Sequence, residues 1–204
     1  MAGLFFRPPR QPRLGVDIGR VIINGPAHPN GGDTAFFEGD EATMLATPEV
    51  PDAVASIAEL TRTFEGRVWL VSKCSPRTQA RTLRWLAAHD FYNRTGIDPG
   101  HVRFCRERSE KRGHCEQLRL THFVDDRLEV HAAIHGVVDH QYLFGPHPGP
   151  VPEYTVHVLT WPQARAHIEA TLARCPPTGP LARRPPLAGC AAASSLVRWY
   201  RGPP

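Results

Sequence analysis

The run at residues 14–24, LGVDIGRVIIN, narrows the folds open to this chain more than any other stretch. Leu14, Val16 and Ile18 are apolar, and Val21, Ile22 and Ile23 form a second apolar block. Between them stands one carboxylate, Asp17, bracketed by Gly15 and Gly19. A short apolar run bounded by glycine reads as a buried strand of a parallel sheet, here expected over 14–19. A buried carboxylate is costly unless it is paired or binds a metal. The carboxyl ends of parallel strands are also where open α/β sheets place their chemistry. Asp17 is therefore a site candidate, with a structural Asp capping a turn as the equal alternative.

The rest of the chain repeats the pattern. Apolar runs at Val68–Val71, Val102–Cys105, His122–Val124, within Val137–Phe144, and at Tyr154–Leu159 read as further strands. Between them, helical periodicity is expected over Pro51–Phe64 with Gly66 as its stop, over Pro76–His89, and from the charged run Arg106–Arg112 through Leu118. Helices are also expected over Leu128–Ile134 and Pro162–Arg174. Alternating strands and helices of this length predict an α/β fold, three-layer α/β/α and Rossmann-like, with a mostly parallel sheet and right-handed crossovers. Residues 24–49 are rich in Gly, Pro, Asn and acids, and read as a flap or small cap with a short helix near Phe36–Leu45.

The ends differ from this domain, which we place at 14–174. Arg7, Arg10 and Arg13 stand in a Pro-rich arm at 1–13 without an acid. Arg174, Arg183, Arg184, Arg198 and Arg201 do the same beside and within a Pro/Ala/Gly-rich tail at 175–204. Both segments read as poorly ordered. The formal net charge of +4 thus belongs to the ends, while the core is acidic, so no nucleic-acid partner is expected of the core domain. The 5 cysteines are scattered, without CxxC spacing, which fits a reduced compartment. No stretch approaches a membrane span, so a cytoplasmic protein with no membrane partner is expected.

Three expected strands end in polar residues on one side of the sheet: Asp17, Ser72, and the pair Asp125 and Asp126. Lys111 falls at a helix start before the fourth strand. Carboxylates on adjacent strand ends form an oxygen-rich pocket suited to Mg²⁺. A hydroxyl and an ammonium opposite the cation can hold the oxygens of a phosphoryl group, and a carboxylate aimed at phosphorus is a competent nucleophile. Lys73 is the rival to Lys111 for that contact. The run Arg103, Arg106, Arg108, Lys111 and Arg112 reads as a solvated basic face that can attract phosphorylated compounds. His131 and His135, with His114, Cys115 and Cys105, offer soft ligands, but their spacing matches no zinc finger and we read the histidines as surface groups.

In these residues the chain resembles the haloacid dehalogenase superfamily. Val16–Val21 (VDIGRV) is similar to its first motif, which carries the nucleophile; Trp69–Ser72 (WLVS) to its second, which binds phosphate; and Phe123–Arg127 (FVDDR) to its fourth, in a form like that of small nucleotidase-like members. Lys111 falls where the third motif has its lysine. The resemblance covers roughly residues 14–145. It implies strand order 5-4-1-2-3, a small cap or none, and a Mg²⁺-dependent hydrolase of a small phosphorylated substrate acting through an Asp17 phospho-intermediate. It implies Asp17 and Lys111 as catalytic residues and Ser72 with Lys111 at the phosphate. The implied cation ligands are Asp17, the Gly19 carbonyl, Asp125 and Asp126. One departure stands out. Phosphatases of the superfamily have a second Asp, two residues after the nucleophile, that protonates the leaving group, and here that position is Gly19. Loss of such a group typically costs about 10²–10⁴-fold in rate. The flap offers His28, Asp33, Glu38 and Asp40 as substitutes, and a catalytically impaired binding or regulatory module is the alternative.

Overall fold

A computed structural model describes residues 11–27 and 32–174. Most of the expected arm at 1–13, the tail at 175–204, and His28 lie outside the described residues. The last residues of the arm, read from composition as poorly ordered, are instead tied to the domain: the Arg13 carbonyl accepts from the backbone N–H groups of Thr121 and His122, and the Pro12 carbonyl from Arg67 Nε.

The strands are β1 (Leu14–Val16), β2 (Val68–Lys73), β3 (Val102–Cys105), β4 (His122–Asp125), β5 (His140–Phe144) and β6 (Thr155–Val158). They form one 6-stranded sheet in the order β3-β2-β1-β4-β5-β6, and every pairing is parallel. The implied order 5-4-1-2-3 is present, with the sixth strand added beside β5. The helices are α1 (Gly32–Glu38), α2 (Glu41–Leu45), α3 (Ala53–Thr63), α4 (Pro76–Ala88), α5 (Phe91–Thr95), α6 (Lys111–Leu118), α7 (Leu128–Ile134) and α8 (Trp161–Arg174).

Strand alternation divides the core into two. Val68 and Leu70 of β2 face a cluster with Ile57 and Leu60 of α3, Trp85 of α4, Phe91 of α5, and Trp161 and Ile168 of α8. Trp69 and Val71 face the other side, with Cys115 of α6, Phe123 of β4, and Val130 and Ile134 of α7. Helices thus cover both faces, as a parallel sheet requires. Gly15 serves this packing. A Cβ there would meet Phe123 Cδ2 at 2.4 Å and Leu120 Cδ1 at 2.6 Å, so only glycine lets the Phe123 ring lie against β1.

The first strand is shorter than expected. It stops at Val16 because the chain turns: the N–H groups of Ile22 and Ile23 both donate to the Ile18 carbonyl, at 2.8 and 3.0 Å. Arg20 takes a left-handed conformation (φ 61) within that turn. The apolar block Val21–Ile23 is therefore a buried turn and not a continuation of the strand, with Trp161 Nε1 donating to the Val21 carbonyl.

Residues 24–49 leave and return at one place. Ile23 bridges to Glu49, and the Asn24 N–H donates to the Pro48 carbonyl. The insert carries two short helices, α1 and α2, where one was expected, because Asp40 interrupts and caps the second through the Thr43 N–H. It rests on α4. Arg81 Nε and Nη2 donate to the carbonyls of Phe36 and Gly39, each at 2.7 Å, and Trp85 Nε1 donates to the Thr47 carbonyl at 2.9 Å.

Candidate active site

Strand register brings the polar residues together. Val16 pairs with Leu70 on one side and Val124 on the other. One step further on, Asp17 leaves β1 between β2 and β4, with its N–H on the Val124 carbonyl at 2.9 Å. Ser72 lies near the end of β2, and Asp125 ends β4.

Lys111 joins two of these strands from the first residue of α6. Its Nζ lies 2.7 Å from Asp17 Oδ1 and 2.7 Å from Asp125 Oδ2. The turn before it is fixed by Glu110, whose Oε2 accepts the N–H groups of Arg106 and Glu107 at 2.9 and 3.2 Å. Lys111 is only 2% exposed, although it lies in a charged run that reads as a solvated face. Its ammonium also stands 5.7 Å from the centre of the Phe123 ring, the ring that Gly15 admits. Burial opposes its charge, but Asp125 and Asp17 outweigh burial and raise its pKa above the ordinary lysine value.

The carboxylates have distinct surroundings. Asp125 is fully buried; Oδ2 takes Lys111, and Oδ1 accepts the Arg127 N–H at 2.9 Å. Behind it, His131 is also fully buried, with Nε2 3.1 Å from the Asp125 carbonyl. This corrects the reading of His131 as a surface group. Asp17 is raised from the ordinary carboxylate range, by burial first, with Lys111 opposing and Asp125 adding to the rise. Asp126 faces the cavity beside Arg127 (Nε to Oδ2, 3.2 Å) and is pushed up to about 7 by burial and by repulsion from Asp17 and Asp125. Carboxylate oxygens of Asp17, Asp125 and Asp126 lie within 4.8 Å of one another, and among the described residues no other group of acidic, His or Cys side chains converges in this way. The histidine and cysteine set considered for zinc stays apart: His114 Nε2 lies 3.3 Å from the Phe104 carbonyl, and His135 packs on Tyr154 at 4.1 Å.

These residues line a cavity of about 250 Å³. Asp17, Gly19, Ser72, Lys111 and Asp126 all reach it, and Asp125 stays behind Lys111. Lys73 is exposed at its edge. Of the flap acids, only Asp33 lines it, and Asp33 is held by Arg20, whose Nε donates to Oδ2 at 2.8 Å. Asp40 is occupied as a helix cap, and Glu38 does not line the cavity. Gly19 itself has an open setting. A Cβ there would meet nothing within 4 Å, and its φ is not in the left-handed region.

No family model and no curated protein sequence matches this chain. Among solved structures it is similar to a haloacid dehalogenase-like family hydrolase from Xanthomonas campestris. The TM-score is 0.59 over 81% of this chain and 98% of that one, at 9% sequence identity.

The chain has the haloacid dehalogenase-like fold.

At that identity the likeness is one of fold, so the site rests on this chain's own residues. In this haloacid dehalogenase-like fold the cavity also contains residues that the sequence reading passed over. Arg20 adjoins Gly19 within the first motif, and adjacency alone could have singled it out. Phe36 and Phe37 on α1 form an edge-to-face pair at 5.6 Å, and an aromatic pair in a Gly- and Pro-rich insert was a signal for a packed wall. Arg127 at the rim had no such signal, since it is one arginine among many, whereas Arg108 belongs to the basic run already read as able to attract phosphorylated compounds.

Proposed function

We propose that this chain is a Mg²⁺-dependent hydrolase of a small phosphorylated compound, acting through a phosphorylated Asp17. The observation that carries this reading is the Lys111 ammonium, shared at 2.7 Å between Asp17 and Asp125, on a cavity that Asp126 and Ser72 also line.

The donor set fits the cation. Once all three are ionised, the converging carboxylates around one ammonium carry an excess of two negative charges, which one Mg²⁺ would balance. The donors are all oxygens, as Mg²⁺ prefers. Asp17 and Asp126 would hold it with the Gly19 carbonyl, and Asp125 would support them from behind Lys111. When bound, the cation offsets charge on the transferring phosphoryl group.

The chain's own residues supply the rest. Asp17 offers a carboxylate oxygen to phosphorus from the end of β1, and Lys111 fixes its orientation. An ammonium has three N–H donors. Two serve Asp17 and Asp125, and the remaining one, with the Ser72 hydroxyl, is available to the phosphoryl oxygens. Water then cleaves the acyl-phosphate and restores Asp17. Cys74, Cys105 and Cys115 are free thiols, which suits the reducing environment of a cytoplasmic enzyme. Among the described residues, no helix is long and apolar enough to cross a membrane.

A panel of phosphate esters and haloacids, assayed with and without Mg²⁺, tests this reading. Release of phosphate that requires Mg²⁺ and disappears in Asp17→Asn is expected. Turnover that persists in Asp17→Asn would discard it. The open space at Gly19 favours one second reading, a binding module that retains the cation site without turnover. That reading expects Mg²⁺ to bind while no ester is consumed.

A further inference from the structure

We propose, building on the hydrolase reading, that the substrates are aryl phosphates, whose leaving group departs without being protonated.

The first line of argument is the supply of protons. A phosphate ester of an aliphatic alcohol leaves as a strongly basic alkoxide unless an acid protonates it, and general acid help is worth typically about 10²–10⁴-fold. The described residues of the cavity supply no free acid of the right strength. Asp17 is the nucleophile, and Asp126 belongs to the cation site. Asp33 is tied to the Arg20 guanidinium, with its Oδ1 against Gly25, where a Cβ would lie only 2.1 Å away. The Cys74 thiol is pushed up to about 11, chiefly by burial, which makes it a poor acid near neutral pH. Arg20, Arg108 and Arg127 present guanidinium N–H donors, which suit the oxygens of an anion. Lys73 stands exposed at the edge of the cavity, away from the buried nucleophile. Beside the nucleophile, Gly19 leaves open space.

The second line is shape and polarity. Phe36 and Phe37 stand on the cavity, and the Phe37 side of the pair is 44% exposed. Ile23 and Val130 continue the apolar lining. An exposed aromatic ring beside a charged phosphate site suits a planar, apolar leaving group, since aromatic pairs gain from ring geometry beyond the area they bury. The α1 helix that carries the pair is anchored by Arg81 to its own carbonyl ends and by Arg20 to Asp33, so the wall is held in place before substrate arrives.

The chemistry balances without an added proton. An Asp17 carboxylate oxygen forms a bond to phosphorus. The bond from phosphorus to the aryl oxygen breaks, and its electron pair leaves with the phenolate. Water then attacks the acyl-phosphate, the bond between phosphorus and the Asp17 oxygen breaks, and phosphate departs while the water's proton passes to solvent.

Phenyl phosphate and benzyl phosphate provide the test. They present the same ring, but one leaves as a phenolate and the other as an alkoxide. With the full chain and saturating Mg²⁺, kcat/KM for phenyl phosphate is expected to exceed that for benzyl phosphate by about 100-fold or more. Phe37→Ala is expected to raise KM for phenyl phosphate by roughly 2- to 10-fold, with inhibition by inorganic phosphate unchanged. Equal rates on the two esters would overturn the proposal while leaving the hydrolase reading intact. An unchanged KM in a folded Phe37→Ala protein would overturn the role of the aromatic wall. Failure to turn over either ester, or any other phosphate ester, would overturn both this proposal and the hydrolase reading.

Discussion

The ammonium of Lys111 lies 2.7 Å from Oδ1 of Asp17, across 94 residues of sequence, and both groups are buried. Asp125 sits on the other side of the same ammonium at 2.7 Å. The arrangement neutralises one of the two carboxylates and orients both.

Removing the shared cation should therefore cost stability. Lys111→Ala leaves Asp17 and Asp125 facing each other in a buried site, and breaking a buried ion pair from one side typically costs about 3–5 kcal/mol. Urea unfolding of the two proteins measures the difference. A loss below about 1 kcal/mol, the range of exposed pairs, would mean that water reaches the site freely and that the ammonium is not its organising charge.

Asp126 makes stability depend on pH in a defined direction. Its carboxyl is raised from 3.8 to about 7 in the fold, first by burial and then by Asp17 and Asp125. Between these values the unfolded chain has lost the proton that the native state keeps, so native stability falls as pH rises through that window and levels off above it. A cation that needs the ionised form binds more tightly once the proton is gone. Thermal melting should show Mg²⁺ raising Tm more at about pH 8 than at about pH 5. Asp126→Asn should remove that part of the pH dependence and weaken Mg²⁺ binding in calorimetric titration. Equal Mg²⁺ affinity in Asp126→Asn and wild type would remove Asp126 from the site.

The legible and the hidden parts of this site differ for physical reasons. Asp17, Ser72 and Asp125 were visible because each ends an apolar run, and parallel strands bring such ends to one edge. The buried state of Lys111 was hidden, because a run such as Arg106–Arg112 has the local composition of a solvated face, and only the placement of α6 turns one of its residues inward. The same holds for His131, which belongs to a short helix whose inner face is set by β4 and β5. Helix α5 escaped notice because it has only 5 residues, too few for a period to show, and starts after a left-handed Asp90 (φ 51). The turn at Val21–Ile23 was hard to separate from a strand, since both are apolar and buried.

Gly19 offers a gain-of-function experiment. Its backbone is not left-handed and a side chain there meets open space, so Gly19→Asp should fold, as melting will show. With a carboxylic acid beside the nucleophile, hydrolysis of alkyl phosphates should rise by some part of about 10²–10⁴-fold, while aryl phosphates gain less. A folded, Mg²⁺-binding Gly19→Asp protein with no gain on any ester would favour the binding module over the hydrolase.

The most direct test of the central claim is to look for the phosphoryl group on Asp17. Wild-type protein is mixed with phenyl phosphate and Mg²⁺, quenched in acid within the first turnovers, and its peptides are read by mass spectrometry. The account predicts a labile phosphoryl adduct on the peptide that contains Asp17, lasting longer than in Gly19→Asp because no carboxylate at position 19 activates water. The adduct should be absent in Asp17→Asn and cleaved by hydroxylamine. Steady release of phosphate with no adduct at Asp17, or an adduct on another residue, would contradict it.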